Sequence, residues 1–507
     1  MHASGVFPSS LHCAPSPDGR FVATLRASTL SVRSVETLRL VNVVKVPPAS
    51  GGPVSGFLWA PSSSKILIST ADQIQIFSAA DASFHASVHN PASAGGKHAA
   101  VYFGARDTEV LACSAFGLKL SVLDLSSSHV VDISNPKFCH PSTASRGFCL
   151  RPGSGHLALL TRSNGKDLVS VHHPTSRQLQ RSWSPDTVDA QGLIWTLDGR
   201  WLLLWDSPVH GLRLLLYTPD GQQFRTIDAS SLSNARSPVP DPSLGLGVKV
   251  CQLSSDAELC AVGDYSRGVA VVSTQSWRER MKLLHPTLIV PLDTTQVWQE
   301  QLACPGQRQP AQPFQRATLT IAPPGPPPDG KGAGSASPGC SLAGFDASST
   351  LLATRLDDAP STLWIWDLAA AELRAVLIFH SHVTFHWHPL CREVLLVTCQ
   401  DEGRRGASFV WDPLSNGPVP VSPEHHLPAA KEATAAAGKP RVAWISRESD
   451  FPELLVADAQ HYVLLSLSGP GDDSVNPWAE EDWQDGTAMP EADDLSALDD
   501  TFSFKHA

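Results

Sequence analysis

The sequence predicts an all-β chain, a β-propeller of about nine blade modules in one ring, and three observations lead there. A short module recurs nine times along the chain. The modules recur at near-constant spacing. Glycine and proline, at 35 and 41 of 507 residues, favour many short strands and turns over long helices.

Each module reads as an apolar strand, a polar turn resembling Ser-Pro-Asp-Gly-Arg, a second apolar strand, a gap, and a third alternating strand. CAPSPDGRFVATL with TLSVRSV is the first, and FLWAPSSSKILIST with QIQIFS the second. VYFGARDTEVLACS, GFCLRPGSGHLALLT, LIWTLDGRWLLLW and VKVCQLSSDAELCAVG open the next four. LAGFDASSTLLATR with LWIWDL, VTFHWHPLCREVLLVT with SFVWDP, and VAWISRESDFPELLVA with YVLLSLS complete the set. The residues before the turns fall near 14, 59, 103, 150, 195, 253, 345, 387 and 444, so four consecutive steps are 45, 44, 47 and 45. One blade cannot bury both of its faces, and stacking neighbours around an axis completes the core.

Trp-Asp closes the third strand of two modules, at Trp366-Asp367 and Trp411-Asp412. The pattern assigns these pairs a structural role, with Trp between blades and Asp at the following turn. The ninth module has three strands, whereas residues 5 to 11 precede the first module as a spare one. An N-terminal strand completing the last blade would close the ring and remove exposed sheet edges. The propeller is therefore assigned to residues 5–467, with a Pro/Gly-rich insertion at about 300–340 inside the longest step of 92 residues. That step holds either a loop or a tenth module, and TTQVWQE and ATLTI within it read as edge strands.

Residues 468–507 form an acidic tail that should not fold alone. From 469 onward it holds eleven acidic residues and one lysine, so most of the chain's net charge of −11 is concentrated there. The body carries 38 acidic against 37 basic residues. A near-neutral body gives no phosphate-binding footprint, which argues against nucleic acid as a partner. Trp478 and Trp483 stand in the acidic run as a candidate docking motif. Ten scattered cysteines with no C-x-x-C fit reduced thiols. No signal peptide and no membrane-length apolar run is present, so a soluble protein is expected.

Chemistry motifs are weak. GPPPDGKG at 325–332 has the outline of a phosphate loop, but three prolines supply no N–H and Gly332 stands where Ser or Thr should hold magnesium. His380 and His382, and His386 and His388, share faces at strand spacing without an evident third metal ligand. His172-His173 precedes a proline at a strand exit and reads as surface. Asp18, Asp198, Asp264 and Asp346 sit where turns want aspartate. No nucleophile elbow, zinc-protease helix or catalytic-cysteine signature appears. The expectation is a protein that is not an enzyme, with no cofactor and no metal.

LGLGVKVCQLSSDAELCAVGDYSRGVAVV (244–272) and SLAGFDASSTLLATRLDDAPSTLWIWDLAAAELRAVL (341–377) resemble the centrosomal and spindle-pole WD-repeat proteins called the WD-repeat protein eight family. That family is also named for a gene antisense to that of a tumour-suppressor relative. CAPSPDGRFVATL, GKDLVSVHHPTSRQLQR and the order of all nine modules agree, over about residues 5–467. The resemblance implies a WD-repeat scaffold in the cytoplasm and cytoskeleton, at the centrosome or spindle pole body, that helps anchor microtubule minus ends and supports spindle assembly. It implies a coiled-coil adaptor of the Msd-one or synovial-sarcoma-breakpoint-interacting type as partner, and in fungi a minus-end-directed kinesin. The Pro-rich insertion and the acidic Trp tail are not features that the family requires. Two rivals rank lower. A translation-initiation propeller should add basic tails, and a ubiquitin-ligase substrate receptor should show Trp-Asp-x-Arg on consecutive blades. Here Leu368-Ala369 and Pro413-Leu414 follow the two Trp-Asp pairs.

Overall fold

The computed structural model describes residues 1–47, 52–81, 84–90, 100–114, 117–138, 145–228, 247–301, 313–325, 338–401, 404, 406–428, 440–467 and 478. Nine antiparallel blades make the chain an all-β propeller: blade 1 spans 13–45, blade 2 56–89, blade 3 100–134, blade 4 148–183 and blade 5 190–228. Blade 6 spans 250–284, blade 7 340–378, blade 8 383–421 and blade 9 441–466. Helix among the described residues is confined to single 3-10 turns at Pro208–His210 and Pro423–His425. None is long and apolar enough to cross a membrane.

The chain divides into two compact units. One comprises residues 1–132 and 422–507, and so holds blades 9, 1 and 2 and nearly all of blade 3; the other, 133–421, holds blades 4 to 8. In both, the second strand of a blade is the most deeply buried, as at Glu109–Cys113, Leu202–Asp206, Leu259–Gly263 and Glu453–Ala457. These strands are covered on both faces, which is why they read as continuous apolar runs rather than as alternation. Outer strands such as Leu179–Trp183 are largely exposed. Apolar clusters lie between successive blades, one joining Val250, Leu259 and Val271 of blade 6 to Leu352, Trp364 and Trp366 of blade 7.

The recurring turn has one chemistry. In blade 1 the Ser16 hydroxyl donates to Asp18 at 2.6 Å, Asp18 accepts the Arg20 N–H at 3.1 Å, and Ser16 Oγ accepts the Phe21 N–H at 3.0 Å. Thr196, Asp198, Arg200 and Trp201 repeat those bonds in blade 5, and Ser254, Asp256, Glu258 and Leu259 repeat them in blade 6. The turn needs a left-handed residue, supplied by Gly19 at φ 69° and Gly199 at φ 68°. Successive turns are also tied together. The Asp18 N–H donates to Ser63 Oγ at 3.0 Å, Arg151 Nε to the Gly199 carbonyl at 2.7 Å, and the Glu393 N–H to Asp346 at 3.3 Å. The sequence period therefore corresponds to a hydrogen-bonded step between blades.

The N-terminal segment completes blade 9, although its boundaries differ from the expected residues 5 to 11. His2–Ala3 pairs antiparallel with Leu465 and Ser466, and Phe7–Pro8 with His461 and Tyr462. The Ser4 hydroxyl accepts the Leu464 N–H at 3.0 Å between them. The start at His2 follows from pairing with a six-residue partner strand, a non-local constraint.

The long step holds no tenth blade among its described residues. Gln296–Glu300 instead adds to blade 7 by parallel pairing with Ala375–Ile378, and Phe314–Arg316 pairs antiparallel beyond it, making a six-stranded sheet. ATLTI contributes only an isolated bridge between Ile321 and Ile289. The second added strand lies just before it, where Phe314 packs edge-on against Phe379 and Phe409 with ring centroids 5.4 Å away. Glu300 anchors the extension by accepting from Arg404 at 2.7 Å and from the His380 N–H at 2.9 Å.

Candidate interaction surfaces

The tryptophans of the two Trp-Asp pairs are interior, and the aspartates cap the turns that follow. Trp411 is fully buried in the cluster joining blades 7 and 8, and Asp412 accepts the Leu414 N–H at 2.8 Å in the next turn. Asp367 accepts the N–H groups of Ala369 and Ala370 at 2.9 and 3.0 Å. Trp366 is nearly buried, and its indole N–H donates to the Thr354 hydroxyl at 3.0 Å. That hydroxyl also meets His285 Nε2 at 2.8 Å, and both Trp364 and Trp366 stand edge-on to the imidazole. His285, in the segment leaving blade 6, thus bonds across to blade 7. Burial pushes its pKa down to about 4. The sequence reading passed over His285, whose one local sign is its place directly after an outer strand.

Buried ionic groups likewise join blades. The Lys137 ammonium donates to Asp167 at 2.9 Å, Asp189 at 3.0 Å and the Ala190 carbonyl at 2.6 Å. Asp167 also accepts from the Ala190 N–H at 2.6 Å and Thr187 at 3.1 Å. Asp357 and Asp358, within the RLDDAP segment, pair with Lys249 and Arg267 of the preceding blade.

The paired histidines have local partners. His380 Nε2 meets the Glu300 carbonyl at 3.0 Å, His382 Nδ1 lies 3.4 Å from Asp401, and His388 Nδ1 accepts the N–H groups of Leu390 and Cys391 at 3.1 and 2.8 Å. His386 is exposed on its strand, and desolvation lowers its pKa. His172 is buried, its two ring nitrogens meeting the Arg177 carbonyl and the Ser170 hydroxyl at 3.0 Å each, so it does not lie on the surface as its sequence context suggested. Among the described residues no group of three His, Cys, Asp or Glu side chains is placed to hold a metal ion. Burial pushes the thiols of Cys13, Cys149 and Cys340 up to about 12 and that of Cys399 to about 11, far from the range of a thiolate nucleophile. The eight described cysteines form no disulfide with one another; Cys139 and Cys304 lie outside the described residues, as does most of GPPPDGKG.

Two outward features and one buried tail residue remain. A cleft of about 410 Å³ between blades 4 and 5 is lined by Arg151, His156, Gln180, Arg181, Trp195 and Asp220. The Arg151 guanidinium lies 5.3 Å over the Trp195 ring, and Arg181 reaches Asp220 at 3.8 Å in solvent. Burial and then the nearby Arg151 charge lower the His156 pKa. The blade 7 extension carries Leu288, Val290 and Leu292 at alternate positions, with Leu319 beside the Ile321 bridge; each is more than half exposed. Trp478 is only 5% exposed and packs with residues of blades 1 and 9. Trp483 lies outside the described residues, as does the rest of the 468–507 tail.

No protein-family model matches the chain. It is 26% identical over 439 residues to the WD repeat-containing protein WRAP73 of Mus musculus, a match covering 83% of this chain and 88% of the relative. An uncharacterized WD repeat-containing protein of Schizosaccharomyces pombe is 22% identical over 399 residues, covering 76% of this chain and 74% of the relative. Among solved structures, a eukaryotic initiation factor overlaps 81% of this chain and 86% of its own at a TM-score of 0.49 and 10% identity. The C-terminal WD40 domain of Sif2 overlaps 83% and 97% at a TM-score of 0.42 and 10% identity. The fold assignment rests on the chain's own nine blades.

Proposed function

We infer that this chain, a WD-repeat propeller of the WRAP type, is a non-enzymatic protein-interaction scaffold of the microtubule-organising centre. It helps anchor microtubule minus ends and supports spindle assembly, and it is recruited through a coiled-coil adaptor. The observation carrying the scaffold reading is that buried titratable groups are committed to joining blades. His285 is bonded to Thr354, Lys137 to Asp167 and Asp189, and Arg404 to Glu300, so none of these is free to move protons on a substrate. Chemistry available to partners is then the loop and rim surface that such a rigid frame presents. The placement at the spindle pole or centrosome is supported by the family resemblance of residues 244–272 and 341–377. The near-neutral body and acidic tail favour recruitment through the adaptor over direct binding to the acidic microtubule lattice.

The test is affinity purification of the tagged full chain from dividing cells, read by mass spectrometry, beside co-sedimentation of the pure protein with microtubules. The coiled-coil adaptor and pole components are expected in the first and no pelleting in the second. Ribosomal or cullin components in place of pole components would overturn the cellular assignment. Unaided pelleting would overturn recruitment through an adaptor.

A further inference from the structure

The tail places one residue in a built seat. Trp478 lies eleven positions beyond Leu467, past the last strand of blade 9, yet its indole packs with Val22, Val35 and Leu38 of blade 1 and with Ile445, Leu455, Tyr462 and Leu464 of blade 9. Its Nε1–H donates to the Val35 carbonyl at 2.9 Å. That carbonyl is presented by a tight turn in which the Val35 N–H donates to the Arg20 carbonyl at 2.9 Å, Leu38 is left-handed at φ 56°, and Arg33 caps the Leu38 carbonyl. Val35 is fully buried. Its carbonyl would face an apolar groove without a donor if Trp478 left, and a buried acceptor without a partner is costly. Blade 9 needs no further strand here, because His2–Ala3 already supplies its fourth.

An apolar slot ending in a fixed carbonyl selects for an indole. Phenylalanine brings no donor, and the tyrosine hydroxyl projects along the ring axis rather than from the side of a fused ring. The sequence around the occupant, Asn476-Pro477-Trp478-Ala479-Glu480-Glu481-Asp482-Trp483, puts acidic residues directly after it.

We propose that the groove between blades 1 and 9 is a tryptophan-docking site whose resident ligand is Trp478 of this chain. The ligand class is a peptide tryptophan, held by the apolar slot and the Val35 carbonyl. This inference is independent of the cellular role proposed above.

The experiment uses the full chain and a fluorescein-labelled peptide of residues 472–484, with anisotropy as readout. Full-length Trp478→Ala has an empty seat and is expected to bind the peptide at least tenfold more tightly than the wild type, whose seat is filled. A peptide carrying Trp478→Ala should fail to bind, and one carrying Trp483→Ala should bind like the native peptide. Equal binding to wild type and variant, or retained binding of the Trp478→Ala peptide, would overturn the proposal. If full-length Trp478→Ala does not fold, Trp478→Phe replaces it. The phenyl ring fills the slot without donating to Val35, and the peptide should displace it with an affinity above that for the wild type. No binding to that variant would equally overturn the site.

Discussion

His285 and Thr354, 69 residues apart, meet at 2.8 Å, and their bond fixes the direction of a proton chain through the joint between two blades. His285 Nδ1 faces the Arg267 carbonyl at 2.7 Å, an acceptor only, so the ring proton sits on Nδ1. Nε2 then accepts from the Thr354 hydroxyl, whose oxygen accepts from Trp366. Thr354→Val keeps the shape but leaves a buried imidazole acceptor and a buried indole donor without partners. It should destabilise the protein by about 3 kcal/mol, while Trp366→Phe should cost about 1 kcal/mol beyond its lost volume. Urea unfolding of the two variants checks this, and a Thr354→Val effect below about 1 kcal/mol would contradict the assigned chain.

The same imidazole makes stability depend on pH. Its folded pKa of about 4 lies below the ordinary value of 6.5, so folding favours the neutral ring. The contribution is complete above pH 6.5 and declines as pH falls toward about 4, at about 1.4 kcal/mol per pH unit within that window. Thermal midpoints measured between pH 7 and 4.5 should fall more steeply in the wild type than in His285→Gln. Parallel curves would remove His285 as the source.

Lys137→Met should be among the most damaging single changes. The Asp167 side chain has no solvent exposure and Lys137 has little, so losing the ammonium strands a buried carboxylate. A cost of about 3–5 kcal/mol is expected, with Lys137→Met/Asp167→Asn recovering part of it. A near-neutral single variant would show that solvent reaches the pair.

Two glycines separate backbone conformation from crowding. Gly19 and Gly153 have left-handed φ of 69° and 72°. An added Cβ at Gly19 would lie 2.6 Å from the Arg447 nitrogen, whereas at Gly153 it would meet nothing within 4 Å. Gly153→Ala should cost about 1 kcal/mol, the ordinary penalty of a left-handed alanine. Gly19→Ala should cost clearly more, since backbone must move. Equal unfolding midpoints would mean that the blade 9 turn yields freely.

The blade count, the turns and the two Trp-Asp pairs could be read from residue order because each is written within one module. Asp18 and Ser16 make their bonds inside a five-residue turn, so their spacing alone carries the signal. What the sequence left obscure depends on partners a blade away. His285 gains its meaning only beside Thr354, and Phe314–Arg316 rather than ATLTI forms the second added strand because Phe379 and Phe409 receive Phe314 there. The near-neutral sum over the body likewise concealed the local excess of Arg151 and Arg181 over Asp220 at one cleft. Trp478 was legible as an aromatic in an acidic run, but the Val35 carbonyl that receives it lies 443 residues upstream.

The pairing of His2–Ala3 with Leu465–Ser466 also has a consequence in time. A ribosome delivers the first blade while the last is still unmade, so His2–Ala3 must wait, unpaired, until Leu465–Ser466 has been made. The final sheet can be assembled only after synthesis has passed residue 466. Until then the N-terminal strands have no partner and need protection from wrong pairing, and a stop before blade 9 would leave them unpaired.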